Sequence, residues 1–247
     1  MPSENAQPAA SPVTGYRGRR PGRPTQRILT VDSIIDRTFT IAGQEGFAAV
    51  TMNRLAREMG VTPRALYNHV ANRQEIIDRV WIRFTDAIEI PDLDPENWRD
   101  SFHELWGSLR QQFRKHPRLL LIAQDETITA SATSPIGISL VEKSLQFFVD
   151  IGLTLRQAIV IREMLMADLF NFALNADYNY DRQDEETRAH TFQPIPQPWL
   201  DEEPDVDAPL TRKAVDEAVT TSDELFNYIV EARVAYVEKV LEGRTEL

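Results

Sequence analysis

A chain of 247 residues with 42% hydrophobic and 26% charged side chains has enough apolar mass for one large or two small cored domains. It contains no cysteine, which excludes disulfide frameworks, zinc–thiolate sites, iron–sulfur clusters and cysteine nucleophiles. The net charge of −11 is uneven: residues 1–83 hold 12 arginines against seven acids, and the acidity belongs to the rest of the chain. A basic end on an acidic body suits contact with a polyanion at one end, although solubility alone produces the same asymmetry. The longest aliphatic run, Leu119–Ala123, is far short of the ~20 residues of a membrane span. The first 20 residues lack the apolar core of a signal peptide, so a soluble, cytoplasmic protein with no membrane partner is expected.

Proline sets the boundaries. Five of the 15 prolines fall in residues 2–24 and five in 194–209. Between these stretches apolar residues recur at the 3.6-residue period, with neither alternating strands nor repeats, so the expected fold is all-α. Residues 1–27 read as a disordered extension, Pro/Ala/Ser-rich and then arginine-rich. Thr30 caps a first helix with Val31, Ile34, Ile35, Phe39 and Ala42 on one face. Thr51 caps a short second helix bearing Met52, Leu55, Ala56 and Met59, stopped by Gly60. Thr62-Pro63 opens a third helix with Leu66 and Val70 inward, and a fourth runs from Asn72 to about Ile88. Asp94-Pro95 precedes a helix that places Phe102, Trp106, Leu109 and Phe113 on one stripe; shorter helices are expected at 118–129 and 136–150. Thr154 caps a long segment reaching about Ala176, apolar over most of its circumference and therefore buried on more than one side. Residues 177–210, with ten acids against two arginines, read as a long acidic loop. A capping box at Thr221–Glu224 opens the last helix, which ends at Gly243.

The informative stretch is Thr51–Arg73, TMNRLAREMGVTPRALYNHVANR. Two short amphipathic helices meet at Gly60, and the small Ala56 lets them cross closely. The outward side of the second presents Thr62, Arg64, Ala65 and Asn68, candidates for reading base edges: Arg pairs bidentately with guanine and Asn with adenine. Thr51, Tyr67, His69 and Arg73 carry donors suited to phosphates, which fix register without reading sequence. These residues closely resemble the helix-turn-helix of the TetR family of bacterial transcription regulators. Leu66-Tyr67-Asn68-His69-Val70 followed by Asn72-Arg73 is most similar to the tetracycline-repressor branch.

The resemblance is specific over roughly residues 30–85 and architectural beyond. It implies a three-helix DNA-binding domain at 28–72 and a helical effector-binding and dimerisation domain at 73–247. It further implies a homodimer whose long eighth and final helices form a four-helix interface, a ligand pocket in each body, and a palindromic double-stranded DNA operator. Release of a repressor by a small organic effector is the expected function.

Arg19, Arg20 and Arg23, around Gly22 and Pro24, resemble minor-groove-binding arms; a tail that adds only nonspecific phosphate attraction is the alternative. Where tetracycline-type repressors hold a metal-liganding histidine, rough alignment places Ala123 or Gln124, which points to an organic, largely apolar effector bound without metal or cofactor. The candidate pocket walls are Phe102, Trp106, Phe113, Met164, Phe170 and Phe172, with Arg110 and Asn171 as polar contacts; each also suits a core position. An enzyme is not expected. His103-Glu104 opens like a zinc-protease motif, but position 107 is Gly, and no phosphate-cradling loop or nucleophile elbow is present.

Overall fold

The computed structural model describes residues 29–215, 217 and 221–244. The arginine-rich extension, with Arg19, Arg20 and Arg23, lies outside the described residues. Every regular element among them is helical.

The head begins with α1 (Val31–Glu45), whose Thr30 cap accepts from the Ser33 amide while Ser33 bonds back to Thr30, closing a capping box. Ile34, Ile35, Ile41 and Ala42 turn its buried face inward. A short 3₁₀ turn, Phe47–Ala49, carries the chain to α2 (Met52–Met59) and then α3 (Pro63–Tyr67). The Asn72 side chain accepts from the Glu75 amide at 2.9 Å and starts α4 (Arg73–Asp86). This helix belongs to both halves: it packs on α1 in the head and on α8 in the body.

The body is built from α5 (Trp98–Lys115), α6 (Pro117–Leu120), α7 (Ile122–Asp125), α8 (Pro135–Asp150) and α9 (Leu155–Asn171). Phe102, Leu105 and Trp106 of α5 are fully buried, with Phe113 nearly so, which makes α5 the central helix. Each such side chain contributes about 1.5–3 kcal/mol of burial free energy. The α9 helix runs without interruption through a π-helical turn, Phe172–Asp177, into α10 (Tyr178–Asp181), and so outlasts the expected end near Ala176.

The acidic stretch is not one loop. It holds α10, α11 (Glu185–Arg188) and α12 (Gln197–Glu202), and α13 (Pro209–Ala214) begins at its end. Cations in and just after it organise it: Arg188 donates to the Tyr180 carbonyl at 3.0 Å, and Arg212 of α13 donates to the carbonyls of Leu200 and Glu203 at 3.0 and 2.7 Å. Asp184 caps α11 by accepting from Thr187. The final helix, α14 (Ser222–Leu241), starts at the capping box read from the sequence and is tied to α9 by a bidentate Arg233–Asp168 pair at 2.6 and 2.9 Å. No described helix is long and apolar enough to cross a membrane.

Candidate nucleic-acid interface and ligand cavity

Local chemistry positions the head's outer surface. The Thr51 hydroxyl accepts from the Arg54 amide at 3.2 Å and begins α2, while Gly60 ends it in the left-handed region at φ 69°, where a side chain would be strained. Thr62 caps α3 by accepting from the Ala65 amide at 3.3 Å, with Pro63 at the first helical position. Leu66 and Val70 are buried and pin the helix to the core. Thr62, Arg64, Tyr67, Asn68 and His69 therefore face solvent together, with Ala65 half-buried among them. Among the described residues, no hydrogen bond or ion pair engages the side chains of Arg64, Tyr67, Asn68 or His69. By contrast, Arg54 on α2 is neutralised by Glu45, at 2.5 and 2.7 Å.

Arg73 is placed differently from the other phosphate candidates. Its guanidinium does not stand free on the outer surface: it donates to the carbonyls of Val50 and Phe47 at 2.9 and 3.0 Å and to the Glu126 carboxylate at 2.8 and 2.5 Å. Phe47 opens and Val50 closes the 3₁₀ turn of the head, and Glu126 begins a body loop, so Arg73 is a bridge between the two. Hydrogen bonding to Glu126 raises its pKa further, against the opposing effect of burial.

That loop runs along α4. Gln74 donates to the Thr127 carbonyl at 2.7 Å, Thr129 donates to Asp78 from its hydroxyl at 2.7 Å and its amide at 3.2 Å, and Ser134 donates to Asp86. The loop's last residues, Ala132–Ser134, then form part of the wall of a cavity of about 320 Å³. The remaining wall comes from Trp81, Phe84 and Thr85 of α4, the segment holding Ile88 and Ile90, and the inward faces of α5, α8 and α9. The size and apolar lining fit a small organic molecule.

Of the pocket residues expected from sequence, Phe113 and Phe170 line this cavity. The others do not, because the expected stripe mixed two adjacent rows of each helix. On α5 the row Leu105, Leu109, Phe113 faces the cavity, whereas the row Phe102, Trp106, Arg110 points elsewhere. Phe102 and Trp106 pack in a tilted pair with ring centroids 3.9 Å apart, with Phe102 also meeting Phe148 in the core. Arg110, only 3% exposed, binds Asp177 at 2.9 and 2.6 Å and Ser222 at 2.8 Å. On α9, Arg162, Leu165, Met166 and Phe170 line the cavity; Met164 packs half-buried against the core outside it. Asn171 is exposed and lines a second cavity of about 450 Å³ with Phe170, Arg118, Gln124 and Tyr178. The missed walls, Trp81 and Arg162, sit beside their helices' core stripes. An aromatic or a cation bordering a stripe was the one available signal.

Comparison with known proteins matches both halves. The family model described as bacterial regulatory proteins, tetR family, matches residues 34–80, and the tetracyclin repressor-like C-terminal domain matches residues 90–230. The HTH-type transcriptional repressor DrrR1 of Streptomyces coeruleorubidus is 31% identical over 138 residues, which cover 56% of this chain and 50% of that protein. The chain thus spans about half the length of the curated relatives it matches. Among solved structures, ActR of Streptomyces coelicolor in complex with actinorhodin is similar at a TM-score of 0.65 and 25% identity, covering 87% of this chain and 99% of that one. BioQ with its double-stranded DNA operator is similar at 0.50 and 25%, covering 62% and 93%.

Proposed function

Because this chain belongs to the tetR family of bacterial regulatory proteins, we propose that it is a cytoplasmic, ligand-responsive transcriptional repressor. It binds a palindromic operator as a homodimer and leaves it when a small organic effector fills the cavity beneath α4. The observation that carries this reading is the shared wall. Trp81, Phe84 and Thr85 of the cavity belong to the helix that starts at the head, two residues after Ala71. A molecule entering the cavity bears on α4, and α4 carries the head.

In the head, Thr62, Arg64, Ala65 and Asn68 are assigned to base edges, and Thr51, Tyr67 and His69 to phosphates. The unengaged, exposed side chains of α3 and the turn after it support this assignment. BioQ's complex with its operator and ActR's complex with actinorhodin supply the precedents for the two ligands. The dimer follows the same logic: α9 and α14, linked by the Arg233–Asp168 pair, leave Leu155, Ile159 and Tyr228 exposed, apolar surface that a second copy covers. Paired heads must then reach successive major grooves, about 34–36 Å apart.

The test is selection of genomic fragments by the purified protein at ordinary salt, followed by footprinting. A symmetric, palindromic footprint is expected. Arg64→Ala and Asn68→Ala should each lower specific affinity by about 1–3 kcal/mol while nonspecific binding persists. Unpatterned, salt-labile binding that ignores both substitutions would remove the sequence-reading role.

A further inference from the structure

The donors and acceptors on the cavity wall are unequally occupied. The Thr85 hydroxyl donates to the Ile82 carbonyl at 2.9 Å, Ser144 donates to the Val141 carbonyl at 2.7 Å, and Ser134 donates to the Asp86 carboxylate. These hydrogens are directed into the protein and away from any guest. Among the described lining residues Arg162 is the one charged side chain. Its guanidinium carries five N–H donors, and the bond it makes is one from an Nη to Glu163 at 2.6 Å. Arg162 is mostly sheltered, with 23% of its side chain exposed, whereas Glu163 is 65% exposed.

We propose that the effector is an acid: an apolar, ring-bearing body with an anionic oxygen group that pairs with Arg162. This rests on the cavity being the effector site. A neutral apolar guest would strip water from the guanidinium and return nothing, whereas a carboxylate, sulfonate or acidic phenolate replaces that water with charge-assisted hydrogen bonds. Glu163 holds the place meanwhile. Being exposed, it turns to solvent at little cost when the guest's anion arrives, and the planar guanidinium fits the two oxygens of a carboxylate or sulfonate side by side. The aromatic wall, Trp81, Phe113 and Phe170, receives the rings.

Two probes isolate the anion. 1-Anilinonaphthalene-8-sulfonate and N-phenyl-1-naphthylamine share their rings and differ by the sulfonate; both are titrated into the full chain by probe fluorescence and by quenching of Trp81 in the wall. Arg162→Met is expected to weaken sulfonate binding at least tenfold and to change the neutral probe less than twofold. Glu163→Gln is expected to retain or tighten sulfonate binding. Val141→Trp, which fills the cavity from a partly exposed wall position, is expected to weaken both probes. Equal weakening of both probes by Arg162→Met, or sulfonate binding indifferent to it, overturns the proposal; so does probe binding that ignores Val141→Trp. The two readings fail separately. Probe discrimination by Arg162 without operator selection sinks the regulator and leaves the acid site. An operator complex dissociated equally by both probes sinks the acid site and leaves the regulator.

Discussion

At the scale of single residues, the caps and Arg73 behave oppositely. Thr30, Thr51, Thr62, Thr154 and Thr221 each accept from an amide three residues on. That interaction is complete within one turn, so it was legible in the sequence. The bridging contacts of Arg73 were not legible because its partners lie 23, 26 and 53 residues away. Its role in bridging head to body makes a discriminating prediction. Arg73→Gln is expected to cost about 1–3 kcal/mol in urea denaturation, less than the ~3–5 of a fully buried pair because a third of the side chain is exposed. A residue contacting phosphate would also contribute about 0.9 to the slope of log affinity against log salt. The slope is expected to stay unchanged in Arg73→Gln, and a drop of about one would return Arg73 to the DNA surface.

At the scale of elements, periodicity located the helices but not their rotation. The sequence showed α5 and α9 as apolar on broad faces; which of two neighbouring rows meets the cavity is decided by the helices packed outside, and so Phe113 and Phe170 were legible while Arg162 and Trp81 were not. The π turn shows the same limit. It carries Asp177, fully buried, into contact with Arg110 of α5 and Ser222 of α14, and stacks Arg110 over Phe172 and Phe226 at 5.1 and 4.6 Å. This cluster, in which Arg110 also pairs with the exposed Asp223 of α14 at 2.8 Å, thereby fastens three helices. Breaking a buried pair on one side strands a charge, whereas replacing both partners with apolar groups does not. Asp177→Ala is expected to fall at the low end of about 3–5 kcal/mol, because Asp223 still faces Arg110, and the double variant Arg110→Met/Asp177→Leu to lose clearly less than the sum of the two singles. Additive losses in the denaturation cycle would mean that the two side chains act independently.

At the scale of the molecule, the question is what makes head and body one mechanical unit. Four ties answer it, all between α4 and the loop that ends in the cavity wall: Arg73 to Glu126, Gln74 to the Thr127 carbonyl, Asp78 to Thr129, and Asp86 to Ser134. The tie at Asp78 is titratable. Burial alone would raise the Asp78 carboxyl, but the hydroxyl and amide of Thr129 and the amide of Gln74 all donate to it and hold it below the usual carboxylate range. The folded value is depressed, so the unfolded chain takes up the proton first as pH falls. The stabilisation from Asp78 is therefore complete above about pH 3.9, the unfolded value, and is lost as pH drops through the lower folded value. Asp78→Asn removes the charge while keeping the shape, and it turns one acceptor oxygen into a donor that faces Thr129. At neutral pH it is expected to cost about 1–3 kcal/mol. The gap between wild type and variant should hold steady from pH 7 to about 4 and narrow below it. Hydrogen exchange at the amides of residues 127–131 should rise in the variant at neutral pH, since the loop loses its hold on α4. Parallel stability curves at every pH would show that Asp78 titrates at its ordinary value in the fold, and the hold of the loop on α4 would then rest on Arg73, Gln74 and Ser134.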